Sequence, residues 1–388
     1  MNLELLSDML TQLNPLRVQP EQCVRIRSKR ATCDRCMRAC PADGITIDES
    51  VDVLRCTYCG ACVGACPTEV FTMLGSTETE LVGRLSTLPE ELTWVLFYCE
   101  RAKGRLPGRV RRWGIKVGCL AMLTESLLLF SAALGRQTFV LQPPDLCQGC
   151  ENERALSQVS KAIAHVERLL SGVRSSIRVV ERLPKGLSPR LIRGREPALE
   201  LNRRQFLGEV VQGFRQLPVR LLMGVIGDGE SGSPERPKRP AITAKRPVSE
   251  RAVYLQALQS LVDGGLAMTS ALALRHIEAS HCYFCGVCAR LCPTEAIVQE
   301  GEEEGARLKF FPGKCTNCGL CLEVCLQDGL RWGREMEVGD VLRGEAIEIA
   351  VASRHTCGLC GSDYLAGPDD PGRCVSCAIV GGEEARLS

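Results

Sequence analysis

Short apolar runs alternate with helical periodicity through the middle of the chain, from about residue 83 to 185. Three of these runs, WVLFYC, IKVGC and TFVLQ, are short and rich in β-branched or aromatic residues, which predicts strands. Segments with the period of a helix follow the second and third runs. Because strands that alternate with helices usually form parallel sheets, we expect a small α/β domain over residues 83–185.

Outside this region the pattern predicts one further helix, over residues 250–275, and a linker. Residues 186–249 predict an amphipathic helix followed by exposed chain, since 228–249 combine four prolines with charges, glycine and serine. The longest apolar stretch, Cys119 to Leu134, is interrupted by Glu125. It is too short for a membrane span and predicts a buried helix.

Cysteine is the residue type that changes this picture. The 388 residues include 24 cysteines, while aromatic residues make up only 4%. Such a density indicates either disulfides in an oxidising compartment or thiolates on metal in a reducing one. The start, MNLELLSDMLTQLNP, lacks the basic segment and apolar run of a secretory signal, so we expect a cytoplasmic chain with reduced thiols.

The cysteine pattern is duplicated, at residues 23–66 and 282–325. Each copy contains a CxxCxxCxxxCP run. In this spacing the first three thiolates wrap one iron-sulfur cubane and the fourth ligates a neighbouring cluster, so each run needs a partner run. Structural zinc also uses CxxC pairs, but tetrahedral zinc gives no reason for a repeated four-cysteine run with a trailing proline. The two complete runs are Cys56, Cys59, Cys62 and Cys66-Pro67, and Cys282, Cys285, Cys288 and Cys292-Pro293.

Over about residues 18–75 and 277–335 the chain resembles the two-cluster bacterial ferredoxins. The resemblance implies four 4Fe-4S clusters, two in each module, and assigns their ligands by position. In the first module the implied ligand sets are Cys56, Cys59, Cys62 with Cys40, and Cys33, Cys36, Cys66 with a fourth ligand. In the second module they are Cys282, Cys285, Cys288 with Cys325, and Cys315, Cys318, Cys321 with Cys292. Four clusters would turn the formal charge of +2 into roughly −6.

One ligand of the first module departs from the ferredoxin pattern. Arg30 stands where the pattern has a cysteine, and Cys23 lies seven residues earlier. We expect a longer loop to bring Cys23 in as the fourth ligand. The alternatives are a 3Fe-4S cluster or an empty site. In the second module Leu326 replaces the usual proline, which affects the following turn more than ligation.

Four cysteines of the middle domain fall at or just beyond the ends of the predicted strands, where open α/β sheets place their ligand sites. The arrangement resembles the small iron-sulfur subunit of methyl-viologen-reducing hydrogenase and a domain linked to heterodisulfide reductases, although the last two cysteines are closer together than that likeness implies. It implies a 2Fe-2S or 4Fe-4S cluster. Zinc or unligated core cysteines are the alternatives. The four are Cys99, Cys119, Cys147 and Cys150.

The C-terminal tail carries a CxxC-x13-CxxC pattern, formed by Cys357, Cys360, Cys374 and Cys377. Two tight cysteine loops of this kind set four sulfurs tetrahedrally. The tail therefore resembles a zinc ribbon or a rubredoxin-like site. Zinc is the favoured metal, and a single iron in the same geometry would make the site redox-active.

Two weaker features favour ordinary structural explanations. The segment NRRQFLG at 202–208 looks like a twin-arginine export motif, but such a motif works from the N-terminus, so an amphipathic helix is expected instead. Residues 101–116 hold seven basic residues and no acid. With little aromatic interleaving, a solvated loop is favoured over a surface for nucleic acid, an acidic partner or an anionic cofactor.

Together these patterns predict a multidomain α+β protein. We expect ferredoxin modules at 1–82 and 250–345, the α/β domain at 83–185, the linker region at 186–249 and a zinc-ribbon-like tail at 346–388. The function expected is an electron-transfer subunit, without a catalytic centre of its own. It would serve a hydrogenase, a formate or aldehyde dehydrogenase, or a heterodisulfide-reductase type complex.

Its expected partners are redox enzyme subunits or ferredoxin-type donors and acceptors, with no nucleic acid and no membrane span, although membrane association stays open. One rival function is a metal-stabilised interaction or nucleic-acid-binding protein whose clusters and zinc ribbon are structural. A third hypothesis is an enzyme whose active site is the middle-domain cluster. Neither a nucleotide-binding GxGxxG after a strand nor a P-loop occurs in the sequence.

Overall fold

The computed structural model describes residues 15–173, 175–184, 187, 249–280, 282–301, 305–367 and 372–377. The predicted amphipathic helix, the twin-arginine-like segment and nearly all of the predicted linker lie outside these residues. The strands are β1 (Leu16–Val18), β2 (Ile45–Ile47), β3 (Val51–Val53), β4 (Phe71–Met73), β5 (Trp94–Cys99), β6 (Ile115–Val117), β7 (Gln137–Leu141), β8 (Ile177–Val180), β9 (Ala271–Ala279), β10 (Ile297–Glu300), β11 (Gly305–Phe310), β12 (Leu330–Glu337), β13 (Ile347–Thr356) and β14 (Asp363–Ala366). The α-helices are α1 (Val24–Arg27), α2 (Arg35–Ala39), α3 (Ala61–Ala65), α4 (Glu78–Ser86), α5 (Gly108–Trp113), α6 (Glu125–Ala133), α7 (Pro144–Cys147), α8 (Leu156–Leu169), α9 (Ser249–Asp263), α10 (Val287–Leu291), α11 (Leu320–Glu323) and α12 (Val338–Leu342).

The first cysteine-rich region is built from two antiparallel strand pairs, β1 with β4 and β2 with β3. Leu16 pairs with Met73, which brings the two ends of this region together. The strands are short, and the loops and short helices between them carry the cysteines. A backbone of this kind holds its ligands in loops tied down at both ends.

The middle region forms a parallel sheet in the order β6-β5-β7-β8. The three predicted strands and their parallel arrangement are confirmed, and β8 adds a fourth strand. Every residue of β5 is buried, as expected for a central strand covered on both faces. The predicted buried helix is shorter than its apolar stretch. It begins at Glu125 because the Thr124 side chain accepts a hydrogen bond from the Leu127 amide at 3.2 Å and caps the helix.

The helix predicted over 250–275 ends earlier, at Asp263. Two glycines follow, and Gly265 has a φ of +104°, a conformation that favours glycine and ends helices. The residues after the turn form β9 instead. Helix α9 packs against α6 and α4 of the first half of the chain and against α12 of the second. Within the described residues, no helix is both long and apolar enough to cross a bilayer.

The second cysteine-rich region and the tail share one sheet. Strands β9 and β12 form a long antiparallel pair, and β10, β11, β13 and β14 form a four-stranded antiparallel sheet in that order. Strand β13 belongs to the tail, yet it pairs with β11 from Gly305 opposite Ser353 to Phe310 opposite Ile347. The tail therefore continues the sheet of the second region.

The basic segment 101–116 differs from the predicted solvated loop. It forms a short 3-10 helix, Glu100–Arg105, followed by α5. Lys103 and Lys116 both pair with Glu100, and Arg105 pairs with Asp145. These acidic partners were missed because they lie outside the segment in sequence. Pairing leaves less positive charge for a nucleic acid than the sequence alone implies.

Candidate iron-sulfur centres

The cysteine runs fold through a repeated backbone turn. The residue two positions after the first cysteine has a positive φ in three runs, at Tyr58, Phe284 and Asn317. The Tyr58 amide donates to Cys56 Sγ at 3.3 Å and the Asn317 amide to Cys315 Sγ at 3.4 Å. Non-glycine residues rarely adopt this conformation, so its repetition indicates a constraint imposed by the site.

The glycine after the second cysteine of each run completes the turn. Gly60, Gly286 and Gly319 have φ values of +74°, +72° and +83° and stand directly before a short helix. At Gly60 an added Cβ would lie 2.6 Å from Met122 Cβ. Glycine is required there because the turn is left-handed and the middle domain packs closely over it.

The last cysteine of each run also receives a main-chain hydrogen bond, from the amide four residues later. Donor and acceptor are 3.1 to 3.4 Å apart in all four cases. An amide directed at sulfur stabilises the thiolate form that ligates iron. The pairs are Gly44 to Cys40, Val70 to Cys66, Ala296 to Cys292 and Gly329 to Cys325.

In the first region, Cys40 lies with the Cys56 run. Burial, followed by the charges of Cys59 and Cys40, raises the pKa of Cys56. Burial and the charges of Cys59, Cys56, Cys36 and Cys40 raise the pKa of Cys62. Thiols that influence one another in this way lie close together. The structure thus places Cys40 beside the Cys56 run, with Cys36 of the other set next to them.

The other set of the first region includes Cys23. Cys23, Cys33, Cys36 and Cys66 line one cavity. Burial, followed by the charges of Cys66, Cys23 and Cys33, raises the pKa of Cys36 to about 12. Cys23 directly precedes α1, so this short helix occupies the extra residues of the longer loop.

Arg30, at the position where ferredoxins have a ligand, has a different contact. Its Nε donates to the main-chain oxygen of Glu323 in the second region at 3.0 Å. Thr32 adds two hydrogen bonds of 2.8 Å, from its amide and its hydroxyl to the Glu323 carboxylate. Arg35 Nη2 donates to the main-chain oxygen of Asn317 at 2.9 Å. The loop that has Arg30 in place of a cysteine therefore contributes hydrogen bonds between the two regions.

In the second region the structure again forms two sets. Cys282, Cys285, Cys288 and Cys325 line one cavity. For the other set, burial and then the charges of Cys315 and Cys292 raise the pKa of Cys318 to about 12. Burial and the charges of Cys318, Cys315, Cys292 and Cys288 likewise raise the pKa of Cys321. Both groupings match those implied by the ferredoxin resemblance.

The four middle-domain cysteines converge on one cavity at the carboxyl edge of the parallel sheet. Cys99 ends β5, Cys119 follows β6, and Cys147 and Cys150 follow β7. Burial raises the pKa of Cys119 to about 12, with further contributions from Cys59, Cys99 and Cys150.

Arg101 is a functional candidate that the sequence reasoning missed. Its Nη1 donates to Cys150 Sγ at 2.9 Å, and the side chain lines the same cavity as the four cysteines. The basic pattern of residues 101–116 gives no reason to separate this residue from its neighbours. Its position two residues after Cys99 was the only signal.

The tail cysteines lie close enough to hold one metal ion. The Sγ atoms of Cys357, Cys360, Cys374 and Cys377 all lie within 4.8 Å of one another. Main-chain hydrogen bonds, first from Cys374, lower the pKa of Cys357 to about 6. A lowered pKa favours the thiolate that zinc or iron requires.

The 24 cysteines that form the six sets are all free thiols. The sets also follow one another as neighbours. Cys119 packs against the apolar cluster that contains Cys59. The charge of Cys36 raises the pKa of Cys62, so these two thiols are also neighbours. The set containing Cys33 meets the one containing Cys318 across an apolar cluster. The charge of Cys288 raises the pKa of Cys321, so these two thiols are neighbours as well. Val375, between two tail cysteines, lines the Cys282 cavity.

Comparison with known proteins supports the two ferredoxin-like regions. Residues 276–329 match the family model of the 4Fe-4S dicluster domain, and residues 49–72 match that of the 4Fe-4S binding domain. These matches cover the Cys282–Cys325 region and the Cys56 run. The chain therefore contains ferredoxin-type 4Fe-4S domains.

Three curated relatives share 34% identity with short segments of the chain. They are the polyferredoxin protein MvhB of Methanothermobacter marburgensis, over 70 residues, the NADH-quinone oxidoreductase subunit I 2 of Geobacter metallireducens, over 65, and the pyruvate synthase subunit PorD of Thermotoga maritima, over 61. The alignments cover 16%, 13% and 16% of this chain and 17%, 50% and 59% of the relatives. The chain therefore spans less than two thirds of each.

Proposed function

We propose that the chain relays electrons through four 4Fe-4S clusters within, or to, an oxidoreductase complex. The clusters would be held by the four sets of cysteines in the two ferredoxin-like regions. The sets are Cys56, Cys59, Cys62 with Cys40; Cys23, Cys33, Cys36 with Cys66; Cys315, Cys318, Cys321 with Cys292; and Cys282, Cys285, Cys288 with Cys325. Bound clusters would supply one-electron acceptors whose potentials depend on hydrogen bonds to sulfur, burial and nearby charge.

The observation that carries this proposal is the contact between the two regions. Arg30 and Thr32 bind Glu323 across it, and Leu320 and Val324 pack against Val24. This contact joins the Cys33 set to the Cys318 set, so the four sets form a row. Electron transfer between clusters needs close neighbours, and structural clusters would have no need of such a row.

The middle domain and the tail extend the proposal at the two ends of the row. We propose a 2Fe-2S or 4Fe-4S cluster on Cys99, Cys119, Cys147 and Cys150, where electrons would enter or leave. The tail would hold zinc, or iron, on Cys357, Cys360, Cys374 and Cys377. Zinc would stabilise the end of the sheet formed by β13 and β14, whereas iron would add a redox step.

The partner proposed is a redox enzyme subunit or a ferredoxin-type donor or acceptor in the cytoplasm. The relatives include parts of a NADH-quinone oxidoreductase and of a pyruvate synthase. Hydrogenase, formate or aldehyde dehydrogenase and heterodisulfide-reductase type complexes are the other candidates. The reacting centre would lie on the partner chain.

Anaerobic metal analysis combined with a redox titration tests the proposal. Four 4Fe-4S clusters predict at least about 16 iron atoms per chain and low-potential signals that titrate reversibly. Iron that cannot be reduced reversibly, or an affinity for nucleic acid that falls steeply with salt, would instead support the rival interaction or nucleic-acid-binding function.

A further inference from the structure

A large cleft lies where both ferredoxin-like regions, the middle domain and helix α9 meet. Its volume is about 670 Å³, which falls within the range of sites for organic ligands. Cys66 lines one side, and Thr316 and Asn317, from the Cys315 run, line another. The cleft therefore lies beside the two cysteine sets that meet across the contact between the regions.

Three cations reach the cleft from three different elements. They are Arg35 of α2, Lys161 of α8 and Arg275 of β9. Arg35 donates to the Asn317 carbonyl, and Arg275 Nε donates to the Gly333 carbonyl at 3.1 Å. In the described part of the chain, no carboxylate lies within 4.0 Å of the charged nitrogens of these three residues. Carbonyl partners do not neutralise a charge, so the cations remain available to an anion.

The acidic residues of the cleft offset little of this charge. Glu125 lies 3.7 Å from His165, which also lines the cleft. Burial, followed by the nearby Glu78 and Glu69, raises the pKa of Glu250, which favours its neutral form. The cleft consequently has an excess of positive charge.

We infer that this cleft binds a small organic oxyanion, carrying phosphate or carboxylate groups. Arg35, Lys161 and Arg275 would hold the charged groups of the ligand. The inference concerns binding alone, so it stands or falls separately from the relay.

Calorimetric titration of the full anaerobic chain tests this site. The probes are ADP and pyrophosphate for phosphate groups and citrate for carboxylates. We expect one class to bind at a single site. Lys161→Gln should weaken that binding about tenfold, as expected for the loss of one charge-assisted hydrogen bond. Arg168→Gln is the matched control, because Arg168 is also exposed on α8 but lies outside the cleft.

Lys161→Gln should leave the iron content and the visible spectrum unchanged, because Lys161 is exposed on α8. The inference is wrong if none of the three probes binds with a dissociation constant below about 1 mM. It is equally wrong if Lys161→Gln binds the probe as tightly as the Arg168→Gln control.

Discussion

At the scale of single residues, the sulfur environments explain both what the sequence predicts and what it misses. The runs CxxCxxCxxxC carry the resemblance to two-cluster ferredoxins, and that resemblance implies which cysteines group together. The role of Cys23 was predicted only as the more favoured of several outcomes, since a loop of unknown path separates it from Cys33. The contact of Arg30 with Glu323 was not predictable, because the two residues are far apart in sequence.

Cys23→Ala should remove one ligand from the set that contains Cys33, Cys36 and Cys66. We expect between one and four iron atoms fewer per chain, out of about 16. If one iron leaves, the oxidised protein should gain the electron paramagnetic resonance signal of a 3Fe-4S cluster. Ser28→Ala, at the end of α1, is the control for the loop. An unchanged iron content in Cys23→Ala would exclude Cys23 as a ligand.

Arg101→Gln should lower the reduction potential of the proposed middle-domain cluster. A positive charge that donates to Cys150 Sγ favours the more negative, reduced state. We expect a shift of some tens of millivolts. A tenfold change in the equilibrium constant of a one-electron couple corresponds to about 59 mV, and solvent screens the charge of this exposed side chain. Arg105→Gln is the control, because Arg105 pairs with Asp145. A potentiometric titration in which both variants match the parent would contradict this role.

At the scale of helices and strands, local patterns predict elements better than their partners. The apolar runs of β5, β6 and β7 predicted strands correctly, because they carry their own signal. The sequence does not predict the pairing of β13 with β11, since only Ala352 of β13 is buried and the partner strand lies about 40 residues away. The early end of α9 followed from Gly264 and Gly265, whose effect competes with the surrounding helical pattern.

Helix α4 contributes a pH-dependent contact with the start of α6. The hydroxyls of Thr124 and Ser126 donate to the Glu78 carboxylate, and burial raises its pKa from 4.5 to about 7. The folded state thus retains a proton that the unfolded state has already released. Stability from this group is present below about pH 4.5 and is lost as the pH rises through about 7.

Glu78→Gln keeps an acceptor but cannot ionise. At pH 8 the free energy of unfolding of this variant should exceed that of the parent by at most about 3 kcal/mol, and its melting temperature should be higher. At pH 5 the two proteins should have nearly the same melting temperature. Glu91→Gln, at an exposed position, is the control. Thermal melts of equal pH dependence in the parent and Glu78→Gln would rule out this account of Glu78.

The contact between the two ferredoxin-like regions can be weakened at Glu323. Glu323→Ala removes both hydrogen bonds from Thr32 and should cost about 1 kcal/mol. We expect faster hydrogen exchange in the residues around Thr32 and Asn317. Glu335→Ala on β12 serves as the control. Exchange rates that stay the same in Glu323→Ala would show that the apolar contacts alone hold the regions together.

At the scale of the whole molecule, the main result of the structure is the order in which the cysteine sets neighbour one another. The sequence predicts four cluster sites, a cysteine site in the middle domain and one in the tail, but it contains no information on their order in space. That order depends on Arg30, Thr32 and Glu323 and on the packing of Met122 over Gly60. Side chains between the motifs therefore turn separate sites into a row.

The most direct test of this account is electron paramagnetic resonance of the anaerobic protein reduced with dithionite. Because neighbouring reduced clusters interact magnetically, we predict broadened signals from four 4Fe-4S clusters, and simpler signals when the sets containing Cys33 and Cys318 are removed together. Colourless protein with zinc in the ferredoxin-like regions and no signal after reduction would contradict the central claim. Four sharp, independent signals would contradict the row.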